Sequence, residues 1–290
     1  MNMTHSFTPQ PTDDGSFTFY SPEFEEAFHS DYGAKQEAIY KFVKPCLLAE
    51  KAGRQSTITL LDICYGLGYN SAAAIATIWA ANPHCFIELI ALESDLRVPQ
   101  AAIAQGLLTT KFPTILTILQ QFARTQQVKT QNINAFLMIN DARVSIQNLR
   151  QQHLKADAIF LDPFSPPKCP QLWTVEFMQQ VAACLKPDGR LATYSCASAV
   201  RSALAETGLY FGSSIAMGRK TPGTVASWRS DEIPPLSGRE REHLQTVAAT
   251  PYRDRTLEAT ATTIKQQRRT EQKQSDREPT RAWKKRWHKR

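Results

Sequence analysis

Apolar and β-branched residues fall in short runs separated by polar turns. Thr57–Ile63, Phe86–Leu92, Ala135–Ile139 and Ala156–Leu161 read as strands covered on both faces, because strands buried inside a parallel sheet lose the apolar–polar alternation. Arg190–Tyr194, Leu209–Phe211 and Thr224–Trp228 extend the series. Helical spacing appears between them at Ala72–Ala81, Arg97–Gln105, Trp173–Leu185 and Ala197–Glu206. Strands alternating with helices predict a doubly wound α/β domain with a mostly parallel, seven-stranded sheet.

The flanks differ. Residues 1–48 read as an N-terminal extension that covers a ligand pocket. Phe17–Tyr20 suits a short strand. Ser21–Phe28 predicts a helix, with a serine cap, Pro22 at the first helical position and acids in the first turn. Gly33–Leu48 predicts a longer helix. Residues 49–236 form the main domain, interrupted at Gly106–Asn134 by a segment too long for an ordinary crossover. Lys186-Pro187-Asp188-Gly189 predicts a turn, and Glu240–Ala249 a helix. Residues 237–290 make a basic tail of weak hydrophobicity, expected to be disordered when free, or helical.

Asp62 closes the first strand, and Cys64-Tyr65-Gly66-Leu67-Gly68-Tyr69-Asn70-Ser71 carries the chain into the next helix, with Asn70 and Ser71 where a cap belongs. Strand, glycine turn and helix form the entry unit of a doubly wound domain, with its ligand beyond the strand's C-terminal end. Glycine there lets backbone N–H groups approach a ligand. The third glycine of a dinucleotide fingerprint and the lysine of a phosphate loop are both missing. Glu93 ends the second strand, where an acid can grip a ribose diol. Asp141, followed by Ala142, stands after the third strand, where it can accept from an adenine amine or cap the next helix. Asp162 ends the fourth strand and opens the proline-stiffened loop Pro163–Trp173. Gly66, Gly68, Glu93 and Asp141 thus suit a nucleoside without phosphates better than NAD or ATP. S-adenosylmethionine is such a ligand, and its sulfonium suits nearby Asp62 and Asp162. Methyl transfer is favoured over hydride or phosphoryl transfer.

Charge refines this reading. The net charge is +7, and Pro251–Arg290 holds 13 Lys/Arg against 5 Asp/Glu, so the tail carries +8 and the rest −1. Such a tail implies a polyanionic partner or a solubilising end. Trp283 and Trp287, one helical turn apart among cations, suit RNA stacking or an anionic membrane surface. The six cysteines form no metal-ligand spacing and read as buried thiols of a reducing cytoplasm.

L-D-P-F-S-P-P-K-C-P-Q-L-W, with G-L-G-Y-N before it and L-K-P-D-G-R-L-A-T-Y-S-C-A after it, resembles the methyltransferase domain of the MnmC family. The likeness covers Phe17–Trp228, with the proline loop its most specific part. Two departures stand out, Pro163 after the Asp and Cys169 for a more usual Asn. The resemblance implies a class I, Rossmann-like methyltransferase fold and S-adenosylmethionine as donor. The implied acceptor is the primary amine of 5-aminomethyluridine, or its 2-thio form, at the tRNA wobble position. Asp62, Gly66, Gly68, Asn70, Glu93, Asp141 and Ala142 would hold the cofactor. Asp162 would orient the amine and accept its proton. Phe164 and Trp173 would pack the uracil, or be core aromatics of their loop. Lys168 and Arg219 would meet tRNA phosphates, or be solvated charges. No second glycine fingerprint is present, so a form without the family's flavin oxidase domain is expected. Two alternatives remain: methylation of another amine, such as an exocyclic base amine, or an RNA-binding protein on an inactive methyltransferase fold.

Overall fold

The computed structural model describes residues 7–108, 113–215, 221–231 and 233–287. Its centre is a sheet of eight strands: β1 (Thr57–Ile63), β2 (Phe86–Glu93), β3 (Gln127–Lys129), β4 (Ile133–Ile139), β5 (Ala156–Leu161), β6 (Leu185–Thr193), β7 (Tyr210–Ser213) and β8 (Thr224–Ser227). Their order is β7-β8-β6-β5-β1-β2-β4-β3. The pairings from β4 through β2, β1 and β5 to β6 are parallel; β3, β7 and β8 join antiparallel. The expected seven strands are present, and β3 is an eighth at one edge, donated by the long 106–134 segment. The predicted Lys186–Gly189 turn is absorbed into β6 as a register shift against β5 between Leu185 and Arg190.

Why the strands lack polar faces is visible in the packing. Ile58, Leu60, Leu89, Ala91, Ala158 and Phe160 enter one apolar layer. Their neighbours Leu61, Ile63, Ile90, Leu92, Ile159 and Leu161 enter the other. Side chains alternate with period two, and helices cover both faces. Helices α1 (Ala34–Glu37, continuing as a π-helical stretch over Ala38–Val43), α2 (Leu48–Ala52), α3 (Tyr69–Ala81), α4 (Arg97–Ala104) and α5 (Pro113–Thr125) pack on the first. Helices α6 (Ala142–Gln151), α7 (Val175–Ala183) and α8 (Ser198–Glu206) pack on the second. Strand β1 has β2 on one side and β5 on the other, so chain direction around it leaves a crevice at its C-terminal end.

The N-terminal helix predicted over Ser21–Phe28 is instead a small hairpin, with Tyr20–Ser21 paired antiparallel to Glu26–Ala27. The cap signature began a turn: Ser21 Oγ accepts from the Phe24 amide at 3.4 Å, and Glu25 adopts φ 50°. Phe28 N then donates to Phe19 O at 2.9 Å. The predicted Gly33–Leu48 helix breaks before α2, where Leu47 takes φ 55°.

At the other end the tail is folded. Helices α9 (Gly238–His243), α10 (Ala261–Lys273) and α11 (Thr280–Trp287) follow the sheet. Val175 N donates to Tyr252 O at 3.0 Å, and Leu257 and Ile264 join the second apolar layer. Trp283 is 2 % exposed and stacks on His243 with ring centroids 4.5 Å apart. It anchors α11, so its indole is withdrawn from any base stacking. Too few apolar positions marked this segment for composition to reveal its docking through Tyr252, Leu257, Ile264 and Trp283.

Candidate active site

A cavity of about 510 Å³ opens at the C-terminal ends of β1, β2 and β5. This lies within the ordinary size range for small-molecule sites. Its floor comes from strand ends and the glycine turn: Cys64, Gly66, Glu93, Ser94, Asp95 and Asp162. The Pro163–Trp173 loop gives Pro163, Phe164, Ser165, Cys169 and Leu172. Its roof is the N-terminal segment, from Ser21 to Tyr32, with Glu37.

The glycine turn is built from within. Gly66 N donates to Glu93 Oε2 at 2.8 Å, and Gly68 N to Tyr65 O at 3.0 Å. These N–H groups, expected to face a ligand, are spent inside the protein, so this turn cannot grip a diphosphate with them. Gly68 (φ 91°) is itself the residue before α3, and a Cβ there would sit 2.5 Å from the Tyr65 hydroxyl. Asn70 and Ser71 therefore lie inside the first turn and cap nothing. Their side chains reach to strand ends: Asn70 Nδ2 donates to Asp162 Oδ2 at 2.8 Å, and Ser71 Oγ to Asp62 Oδ2 at 2.6 Å. Sequence distance hid both pairs.

Asp62 is fully buried beneath the turn and outside the cavity wall, a correction to its expected place beside the ligand. Burial pushes its pKa up to about 7. Glu93 lines the cavity, and its Oε1 accepts from the Ser94 and Asp95 amides at 2.8 and 3.0 Å. Oε2 accepts only from Gly66, which leaves it acceptor capacity for one further hydroxyl. Asp162 faces the cavity. Burial, opposed by the Asn70 hydrogen bond and reinforced by Glu37 and Asp62, holds its carboxyl well above the usual range.

Asp141 is the helix cap of α6, accepting from Arg143 N at 2.8 Å. The Arg143 guanidinium also grips it, with Nη2 2.7 Å from Oδ2. Nη1 of the same arginine donates to Asp254 Oδ2 at 3.3 Å and Ala259 O at 3.0 Å, tying the cap to the C-terminal segment. Neither Asp141 nor the buried Ala142 lines the cavity.

Of the expected substrate contacts, Phe164 lines the cavity, stacked on Phe24 at 4.3 Å and edge-on to Phe28 at 5.0 Å. Trp173 does not: it is fully buried and its Nε1 donates to Phe164 O at 2.8 Å, bracing the loop from behind. Lys168 lies outside the wall and pairs with Glu25 of the hairpin. Arg219 lies outside the described residues. Ser165 N donates to Glu26 Oε2 at 2.9 Å, a second tie between loop and hairpin. The segment covers the pocket as the sequence predicted, but through a hairpin whose Phe24, Glu26 and Phe28 were not singled out; a Phe-rich, acidic stretch was the available signal.

Seven carboxylates line this cavity: Glu23, Glu26, Asp31, Glu37, Glu93, Asp95 and Asp162. No Lys or Arg does among the described residues, and burial pushes His29 down to about 4, so that it is neutral at pH 7. A cationic ligand fits such a wall and a phosphorylated one does not. Among the described residues no three metal-ligating side chains converge, and no helix is long and apolar enough to cross a membrane.

A family described as S-adenosyl-L-methionine-dependent methyltransferases matches residues 102–229. A crystal structure of MNMC2 from Aquifex aeolicus superposes with a TM-score of 0.81 at 32% identity, covering 93% of this chain and 86% of that one. The chain belongs to the MnmC methyltransferase family. An uncharacterized protein of Methanocaldococcus jannaschii is 30% identical over 262 residues, 86% of this chain and 68% of that protein. The tRNA 5-methylaminomethyl-2-thiouridine biosynthesis bifunctional protein MnmC of Acidovorax sp. (strain JS42) is 30% identical over 204 residues. This chain spans about a third of that protein's length (31%). As a family member it is an enzyme, with S-adenosyl-L-methionine as its methyl donor. The donor's sulfonium and ammonium charges suit the acidic wall described above.

Proposed function

We propose that this methyltransferase N-methylates the aminomethyl group of 5-aminomethyluridine, or its 2-thio form, at the wobble position of tRNA, giving 5-methylaminomethyluridine. The observation that carries the reading is the acidic cavity, without Lys or Arg among the described residues, with Asp162 on its floor. A primary alkylamine has a pKa of about 10, like lysine, and arrives as an ammonium. Carboxylates attract that form and repel phosphates, so the base enters and its backbone stays outside.

Bound S-adenosyl-L-methionine supplies an electrophilic methyl on a positively charged sulfur. Glu93 would hold the ribose through the acceptor capacity left on Oε2. Gly66 would form the floor beside it, with Gly68, Asn70 and Asp62 in support. Asp141 and Ala142, which lie outside the cavity wall, are given no contact with the donor. Asp162 would orient the ammonium and take its proton, freeing the nitrogen lone pair. Its raised pKa makes the ionised carboxylate a stronger base. The free amine so formed would be the nucleophile for the methyl group that the donor supplies. Phe164, fixed by Phe24 and Phe28, would pack the uracil ring.

The test uses tRNA carrying 5-aminomethyluridine, incubated with the protein and S-adenosyl-L-methionine, then digested to nucleosides for mass spectrometry. One added methyl on that nucleoside alone supports the reading. Methylation of adenine or cytosine instead moves the substrate to an exocyclic amine. With cofactor bound, no methylation of any nucleoside refutes the RNA reading.

A further inference from the structure

The cavity rejects phosphate, so an RNA strand that delivers its base there must rest on cations elsewhere, continuous with the cavity's rim. Helix α10 meets both conditions. Lys265, Arg269 and Lys273 recur every four residues and therefore share one face, spanning about 12 Å along the axis. The inner face is occupied: Ile264 is 1% exposed, and Arg268 lies over Tyr252 at 4.4 Å while donating to Thr250 O at 2.7 Å. That packing turns the three cations outward. Lys265 Nζ donates to Pro167 O at 3.4 Å, which seats the near end of the stripe on the active-site loop itself. Arg269 and Lys273 are exposed and make no ion pair among the described residues. Two other tail arginines are spent: Arg253 on Glu206 and Glu271, Arg286 on Glu242 and Glu278.

We propose that the outer face of α10, through Lys265, Arg269 and Lys273, is the docking track for the phosphate backbone of the substrate RNA. The track rests on the tRNA reading above and says where the strand lies. It runs from the Pro163–Trp173 loop outward, so phosphates flanking the target nucleoside follow the helix while the base turns into the acidic cavity. The remaining exposed residues of α10, including Thr262, Thr263, Gln266, Gln267 and Thr270, are polar, with no apolar side chain to enter a lipid layer. Phosphate of a nucleic acid is thus favoured over a membrane surface.

The experiment replaces the three cations by glutamine (K265Q, R269Q, K273Q) in the full chain. A control triple on α11 (R281Q, K284Q, K285Q) removes the same charge from another place. Binding of tRNA is followed by fluorescence anisotropy across a salt series. Each phosphate no longer neutralised lowers the slope of log affinity against log salt by about 0.7–0.9, so the α10 triple should lower it by about 2–3. Affinity at moderate salt should fall at least tenfold, with KM for tRNA raised, kcat kept, and S-adenosylhomocysteine binding unchanged. An unaltered slope overturns the track. An equal loss in the α11 control also overturns it, reducing the effect to net charge. Anionic vesicles serve as a third ligand, and binding to them that vanishes with the α10 triple while tRNA binding persists assigns the face to lipid and refutes the proposal. Should the unmutated protein bind tRNA along α10 yet methylate no aminomethyluridine, the substrate reading fails and the track stands.

Discussion

Replacing Asp62 by asparagine should flatten the pH dependence of folding stability between about pH 4 and about pH 7. Asp62 has no exposed surface; Ser71 Oγ satisfies Oδ2 at 2.6 Å, and Oδ1 has no partner. Burial, with the negative charge of Glu93 behind it, lifts its pKa to about 7 from the ordinary 3.8. Between those values the unfolded chain has released its proton while the folded protein keeps it, so stability falls as pH rises. This stabilisation is complete below about pH 4 and gone above about pH 7. Three pH units at about 1.4 kcal/mol each make about 4 kcal/mol. Asparagine cannot ionise, and its Oδ1 still accepts from Ser71. Its amide, unpartnered where Oδ1 of the acid was, costs about 1–3 kcal/mol at every pH. The variant should therefore be the less stable protein at about pH 4.5 and the more stable one at about pH 8.5. Urea unfolding of both proteins across that range measures the difference. A difference that stays constant with pH would mean that Asp62 ionises normally, and the burial argument would fail.

Asn70→Ala removes the hydrogen bond that holds the Asp162 pKa down. The acid limb of kcat/KM should move to higher pH and activity at pH 7 fall about tenfold or more. A collapse of S-adenosylhomocysteine affinity with an unmoved profile would instead make Asn70 a cofactor ligand. Gly68→Ala demands φ near 91° from a residue with a Cβ, 2.5 Å from the Tyr65 hydroxyl. It should cost about 2–4 kcal/mol, read as a lowered Tm, and an unchanged Tm refutes the clash. Arg143→Gln leaves the Asp254 carboxylate, whose side chain is 1% exposed, with donors from Thr256 and Ala259 but without its cation. The expected cost is about 3–5 kcal/mol, with faster proteolysis of the segment after Pro251; wild-type protease resistance would show that Arg143 does not fasten it.

The strands of the central sheet were legible because parallel strands buried on both faces must be apolar throughout, and Thr57–Ile63 and Ala156–Leu161 appear in the fold with their expected limits. Asp162 was legible for the same reason: a charged residue closing such a run stands at the sheet's C-terminal edge. The short β3 was not, since Gln127-Val128-Lys129 has one apolar position and becomes a strand only by pairing with β4. For the tail, composition left disorder and helix both open and did not show that its helices dock. Mean hydropathy averages over the segment, yet docking rests on a few buried side chains such as Ile264 and Trp283, with Arg268 turned inward by Tyr252.

The N-terminal segment was read correctly as a cover for the pocket but wrongly as a helix over Ser21–Phe28, and the cause of that misreading is physical. Serine, proline and acids open helices and turns alike, since both use the serine hydroxyl to satisfy a free amide and proline to set φ. What decides between them lies 139 residues away, where Glu26 accepts from Ser165, and in the stacking of Phe24 on Phe164. A helix over Ser21–Phe28 would not present Phe24, Glu26 and Phe28 together to that loop; the hairpin does, with Glu25 free to meet Lys168. The same turn explains the chemistry of the roof. It brings Glu23, Glu26 and Asp31 over a floor that already holds Glu93 and Asp162. No single stretch of sequence is acidic enough to announce such a cavity. Only the closure of the hairpin over the strand ends gathers the carboxylates, which is why affinity for a cation belongs to the fold and not to any one motif.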